Sequence, residues 1–190
     1  MKNIGTVPIE TERLLLRRVV KADADDIFSN WASDPLVTRY MTWKTHESVA
    51  VTRCYVASLL RALKLSSCYE WIIVLKETNR AIGAIGVAKL DSSLESAQVG
   101  YCLSRAFWNR GIMSEALGAV IGFLFNEVGV NRIEAYHHVK NIVSGRVMEK
   151  SGMLKEGIRR DGERDSEGVF CDTVCYAILK SDYLKNRAKP

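Results

Sequence analysis

From Ser96 to His138 the chain carries the pattern that most restricts how it can fold. The run QVGYCL within Ser96 to Leu103 alternates as a strand does, and Arg132 to His138 is a second short strand. Between them Met113, Leu117, Val120, Ile121, Leu124, Phe125 and Val128 step by three and four until Gly129 ends the pattern. A long amphipathic helix joining two strands predicts at least one parallel crossover, and hence a mixed sheet with helices on both faces.

The remaining pattern fits around that unit. Glu12 to Val19 reads as a strand, and Ala22 to Ala32 as a helix that stops before Asp34-Pro35. Glu47 to Leu63 reads as a second helix. Glu70 to Lys76 and Ala81 to Leu90 are strands, with turns at Asn79-Arg80 and Asp91 to Ser93. After His138 come a helix from Ile142 to Lys150 ended by Gly152, then strands at about Leu154 to Arg160 and Val169 to Leu179. With three prolines in 190 residues and no low-complexity tract or repeat, residues 1–190 are expected to form a single domain. No apolar run approaches the ~20 residues of a membrane helix. The N-terminal MKNIGTVPIETERL lacks the apolar core of a secretory signal. Cys54, Cys68, Cys102, Cys171 and Cys175 form no CxxC pair, so buried free thiols in a reducing cytoplasm are expected. The net charge of +5 suits an anionic ligand, but no RNA-binding pattern accompanies it and no direct nucleic-acid contact is expected.

The passage from strand to helix, FWNRGIMSEA, holds a second constraint. Asn109, Arg110 and Gly111 precede the helix, and no acidic residue follows until Glu115. The first N–H groups of a helix lack intrahelical acceptors and sit at the positive end of the dipole. A loop wrapping from Asn109 to Ser114 would gather those groups into an anion site. Gly111 would permit positive φ or a close ligand, and Arg110 would supply a charge. The plainer alternative is a turn shaped by Gly111 beside a solvated arginine. The loop is neither a Walker loop nor a GxGxxG fingerprint. A second cluster, HHVKNIVSGRVMEKSGMLKEG, leaves a strand at Asn141 and enters a helix carrying Ser144. Asn141 alone reads as a helix cap and Ser144 as a first-turn residue.

Together these stretches resemble the GNAT acetyltransferase superfamily, and within it the branch that acetylates ribosomal-protein N-termini. The strand QVGYCL, the loop FWNRGIMSEA and the pattern N-x-x-S-x-R-V-x-E-K-x-G-M-x-x-E-G carry the resemblance. TERLLLR, SDPLVTRYMTW and the late G-x-x-x-D extend it over nearly the whole chain. The resemblance implies a mixed, mostly antiparallel sheet of about seven strands, splayed between the fourth and fifth (Ser96 to Leu103 and Arg132 to His138). It implies acetyl-CoA as cosubstrate and no metal. Loop amides of Arg110, Gly111, Ile112, Met113 and Ser114 would bind the pyrophosphate, with Trp108 and Asn109 at the entry. The exposed backbone of Tyr101, Cys102 and Leu103 would pair with pantetheine, Asn141 would bond its arm, and Lys150 would add a contact. Ser144 would lie near the thioester sulfur and Glu163, in RRDGERDSEG, would act as base, with Asp161 or Asp165, two residues to either side, as the alternatives. Three departures stand out: Trp108 opens the loop where relatives often carry glutamine or arginine, Met113 replaces a small residue, and Gln98 stands where many relatives carry a glutamate.

The implied reaction is attack of a neutral amine on a thioester carbonyl. The implied acceptor is the N-terminal α-amine of a protein, ribosomal in this branch, for a cytoplasmic monomer or homodimer. A small amine such as a polyamine, an aminoglycoside or an amino-acid analogue is the competing acceptor, and a non-catalytic acyl-CoA-binding module the competing class. RRDGERDSEG also reads simply as a solvated charged hairpin. Trp31, Trp43 and Trp71 read as core or cleft wall, Tyr40, Met41 and Trp43 lie where relatives place part of the acceptor site, and His137 and His138 point to opposite faces of a strand.

Overall fold

The computed structural model describes residues 1–187. A two-residue strand β1 (Ile9–Glu10) and β2 (Leu14–Arg17) precede α1 (Asp23–Ile27), which runs on as a wide π-helical turn, Phe28–Ala32. Next come α2 (Pro35–Thr38), α3 (Val49–Ala62), β3 (Glu70–Leu75), β4 (Arg80–Asp91) and β5 (Ser96–Leu103). A 3₁₀ turn, Arg105–Phe107, leads to α4 (Ile112–Phe123), again prolonged by a π-helical turn, Leu124–Val128. Then follow β6 (Arg132–His138), α5 (Ile142–Lys150), β7 (Leu154–Arg164), β8 (Phe170–Leu179) and α6 (Lys180–Arg187). The strands form one sheet in the order β1-β2-β3-β4-β5-β6-β8-β7.

Every pairing is antiparallel except β5 with β6, which is the crossover the long helix demanded. Helices cover both faces, and the run WIIVL, Trp71 to Leu75 of β3, shows why it had to be apolar. Trp71 and Ile73 pack with α4 residues such as Leu117 and Ile121, while Ile72 and Val74 pack with Ile27 of α1 and Val56 of α3. The sheet has eight strands rather than seven because Ile9–Glu10 pairs with Leu15 and Leu16.

Two differences bear on function. The strand beginning at Leu154 continues to Arg164, past the expected Arg160, through a bulge at which Asp161 takes φ +48°. The Asp34-Pro35 pair, read as a stop, also starts α2: Asp34 is its N-cap and accepts from the Leu36 N–H at 2.9 Å, with Pro35 in the first turn.

Candidate active site

β5 and β6 pair only from Ser96–Arg132 to Val99–Ala135. Beyond that point β5 stays with β4, through Gly100–Gly86 to Leu103–Gly83, while β6 stays with β8, through Tyr136–Cys175 to His138–Thr173. The two strands therefore part, and the opening leads into a cavity of about 690 Å³. Tyr101, Cys102 and Leu103 of β5 form one wall. The Leu103 carbonyl is already taken, since the Trp108 indole Nε1 donates to it at 2.9 Å.

The strand-to-helix turn forms the second wall. Asn109 and Gly111 both adopt positive φ, +60° and +72°, and Gly111 is the N-cap of α4. This is the backbone that glycine was expected to permit. The first N–H of the helix to find a backbone acceptor is that of Glu115, to the Gly111 carbonyl at 3.0 Å. Trp108, Asn109, Gly111, Ile112, Met113 and Ser114 all border the cavity, yet Ile112 and Met113 send their side chains into the core. Met113 can thus replace a small residue because its side chain packs in the core.

Sequence reasoning missed what fastens this turn. Glu115, in the first turn of α4, accepts from Thr11 Oγ1 at 2.5 Å, the Arg13 N–H at 3.0 Å and Arg13 Nε at 2.6 Å. Arg13 Nη1 in turn donates to the Arg110 carbonyl at 2.9 Å. Burial alone would raise the Glu115 carboxyl, but these hydrogen bonds outweigh it and hold the group below its usual range. The latch spans about a hundred residues of sequence, so no local pattern could announce it. Arg110 does not border the cavity; its guanidinium lies 5.5 Å from the Phe107 ring centre. Any electrostatic help it gives an anion is therefore indirect.

The third wall comes from the start of α5. Asn141 occupies the N-cap position but makes no side-chain cap bond, and it borders the cavity together with Ser144 and, one helix length on, Lys150. Ser144 and Tyr101 are coupled: Ser144 Oγ donates to Tyr101 Oη at 3.0 Å, and Tyr101 Oη donates to the Ser144 carbonyl at 3.0 Å. Burial raises the Tyr101 hydroxyl far above its ordinary value. α5 can approach β6 and β8 because residue 145 is glycine; a Cβ there would come 2.7 Å from His137 Nε2 and 3.1 Å from Tyr176 Oη.

Residues from α2 and just after it close the mouth: Leu36, Val37, Arg39, Tyr40 and Met41. Arg105 Nε to Asp34 Oδ2, 2.9 Å, ties α2 to the segment leaving β5. Trp43 packs on the α1–α3 side and Trp31 and Trp71 are buried in the two cores. The charged residues around the cavity are Arg39, Lys140, Arg146 and Lys150, with no carboxylate among its lining.

Glu163 is not brought to this site. It is exposed, opposite Cys171 in the β7–β8 pair, and outside the cavity lining. Asp165 caps its own hairpin, accepting from the Glu167 and Val169 N–H groups, as a solvated charged turn would. His137 and His138 diverge as expected, His137 beneath α5 near Tyr176 and His138 against Tyr40, 4.9 Å between ring centres. Among the described residues no group of three or more His, Cys, Asp and Glu side chains is placed to hold a metal. All five cysteines are free: Cys175 is buried, Cys68, Cys102 and Cys171 are half-buried, and Cys54 is exposed. Burial pushes the Cys102 thiol, in the cavity wall, up to about 12, which removes it as a nucleophile.

Comparison with known proteins agrees with this architecture. The chain is 33% identical over 173 residues to the uncharacterized N-acetyltransferase p20 of Bacillus licheniformis, covering 91% of this chain and 96% of that protein. It is 24% identical over 193 residues to the [ribosomal protein uS5]-alanine N-acetyltransferase of Escherichia coli, with 97% of each chain covered. The crystal structure of a GNAT-family acetyltransferase from Bacillus anthracis superposes with a TM-score of 0.81 at 27% identity, covering 92% of this chain and 99% of that one. Residues 13–154 match the model of the acetyltransferase (GNAT) domain, and the chain belongs to that family of N-acetyltransferases.

Proposed function

We propose that this chain moves an acetyl group from acetyl-CoA to the N-terminal α-amine of a protein. The observation that carries the donor half is the turn of positive-φ residues and open helix N–H groups beside a gap in the sheet, ringed by four cations and no carboxylate. That set suits the phosphates of coenzyme A: amides from Gly111 to Ser114 for the pyrophosphate, with Lys150 and Arg146 nearby. The β5 edge and the uncapped Asn141 side chain suit the amide-bearing pantetheine arm. Acetyl-CoA supplies the activated acyl group; the protein supplies orientation and electrostatics.

The same ring of charge favours one acceptor class. Polyamines and aminoglycosides carry several positive charges and would meet Arg39, Lys140 and Arg146 at the mouth with no acidic partner. A peptide N-terminus brings one amine and a backbone able to lie along Leu36, Tyr40, Met41, Ile142 and Val143. Energetics point the same way. A lysine-type amine of pKa near 10.4 costs about 4 kcal/mol to be neutral at pH 7.4, whereas an α-amine of pKa ~7.7–8.0 costs a few tenths. Ser144 would donate to the departing sulfur by turning from Tyr101, exchanging one hydrogen bond for another, so its contribution is modest. The name of the uS5-alanine enzyme makes a ribosomal protein the first acceptor to try.

The test is a competition in one tube. A serine-leading peptide containing an internal lysine is incubated with acetyl-CoA, the protein and spermidine, and the products are read by mass spectrometry. Acetyl on the peptide α-amine is expected; acetyl on spermidine or on the lysine would overturn the acceptor assignment.

A further inference from the structure

Glu70, the first residue of β3, pairs across the sheet with Gly86 of β4, which pairs with Gly100 of β5. Cross-strand partners share a face, and this row lies beside Ile72, Ala84 and Cys102, on the side covered by α1 and α3. A Cβ on Gly86 would come 1.7 Å from Glu70 Oε2, so the carboxyl lies directly over that glycine. A Cβ on Gly100 would meet nothing within 4 Å. The next place in the row is therefore open. Gly100 is also the first residue of β5 beyond its last pairing with β6, where the gap begins. Strands lie about 4.8 Å apart, which puts the carboxyl roughly 5 Å from the space above Gly100 at the inner end of the gap, the span of one bridging water.

The carboxyl is otherwise unemployed. Glu70 donates its backbone N–H to Thr6 Oγ1 at 2.8 Å, but among the described residues its carboxyl has no hydrogen bond and no ion pair. Close enough to feel its charge are the Tyr55 hydroxyl from α3, the Cys68 thiol from the segment before β3 and the Cys102 thiol from β5, and Cys68 also feels Arg18. A half-buried carboxylate with no partner is costly to keep, and two glycines in adjacent strands weaken the sheet unless something must pass close to them.

We propose that Glu70 is the proton acceptor for the incoming amine. Before the nitrogen–carbon bond forms, one proton of the bound ammonium group passes through a water above Gly100 to the Glu70 carboxylate, and the neutral amine that remains attacks the thioester carbonyl. As the carbon–sulfur bond breaks the electron pair leaves with the sulfur, and the second N–H proton, lost by the nitrogen as the amide forms, reaches the sulfur through the Ser144–Tyr101 hydroxyl pair or through water. Burial raises the Glu70 carboxyl to about 7, which suits a base working near neutrality. The assignment rests on the acetyl-transfer reading. Glu70, Gly86 and Gly100 themselves stand outside the cavity lining, so the water above Gly100 is what would join the carboxyl to the cavity; the assignment would explain how the chain manages with Gln98 in β5 and an exposed Glu163.

Thiol release from acetyl-CoA, followed from about pH 5.5 to about pH 10 with a serine-leading tetrapeptide and with spermidine, tests it in the wild type and in Glu70→Gln. A base of pKa about 7 helps only where it is ionised and the amine still holds its proton. The ratio of wild-type to variant kcat/KM should therefore peak between about pH 7 and the pKa of the amine, ~7.7–8.0 for the peptide and near 10 for spermidine. Its height should be about a hundredfold, the low end for general acid–base catalysis, and it should fall towards one outside that window. A ratio constant with pH, or a window that does not close near the pKa of whichever amine is acetylated, would overturn the proposal. Glu70→Asp sets the carboxylate back by one methylene and should keep the window at reduced height; should the Gln variant not fold, the Asp profile decides. Should the wild type acetylate neither amine, the acceptor assignment falls, and Glu70 is judged on hydrolysis of acetyl-CoA by water. Slower hydrolysis in Glu70→Gln would uphold the base, and equal hydrolysis would reject it.

Discussion

Replacing Gly111 by valine tests the turn on which the donor site depends. At φ +72° an L-residue costs about 1–2 kcal/mol, and a β-branched one sits at the upper end. Crowding within the protein adds nothing, because the nearest atom to a Cβ at this position is Arg13 Nη2 at 3.6 Å, an ordinary contact. The strain leaves the loop two outcomes. It can keep its shape and lose that stability, worth a fall in Tm of about 2–8 °C for a chain of this length, with valine methyls standing where the ligand backbone must approach. Alternatively it relaxes to negative φ, turns the Arg110–Gly111 peptide away from Arg13 and carries the amides off the cavity. In both cases acetyl-CoA should bind at least tenfold more weakly, about 1.4 kcal/mol. Calorimetric titration at fixed salt, paired with a thermal melt, reads both quantities. A folded variant whose Kd stays within about twofold of wild type would refute the reasoning and remove the loop from the site.

Arg110→Ala should cost less than about threefold in acetyl-CoA affinity, a loss that shrinks as salt rises, whereas Arg13→Ala should cost more because it frees the Arg110 carbonyl and the Glu115 latch together. Titrating both variants at two salt concentrations checks the order. Ser144→Ala should lower kcat by about tenfold and leave the acetyl-CoA Kd nearly unchanged, because the hydroxyl acts on charge that develops only as the sulfur leaves; steady-state kinetics beside calorimetry separates the two. Glu163→Gln should keep the wild-type pH profile of kcat/KM, since its exposed carboxylate lies outside the cavity. Glu115, whose folded pKa is depressed, contributes stability that is present above the unfolded value of ~4.3 and is lost as pH falls through its folded value. The stability margin of wild type over Glu115→Gln should thus be constant near neutrality and close below about pH 4, in denaturant melts across that range.

Legibility followed sequence distance. The strand, turn and helix from Ser96 to Val128 were readable because period, glycine and cap lie within one window. The positive φ of Gly111 and the inward side chain of Met113 both followed from local rules. What escaped depends on register. Glu70 looks like the ordinary start of a strand until β3 and β4 pair and set it over Gly86. Arg13 and Glu115 look like surface charges until β2 lies beside the start of α4. Asp34-Pro35 carried its signal openly, but a stop for one helix and a start for the next share the same residues, and only the fold separates them. Glu163 was placed by motif spacing, and the bulge at Asp161 and Gly162 lengthened the strand beneath it.

The most direct test of the account is amine-dependent thiol release from acetyl-CoA, measured with the serine-leading tetrapeptide varied against saturating acetyl-CoA, then the reverse. The account predicts release that saturates in both substrates and matches N-acetyl peptide mole for mole. Tight acetyl-CoA binding with no release from the peptide, or from any other amine tried, would contradict it and leave an acyl-CoA-binding module in its place.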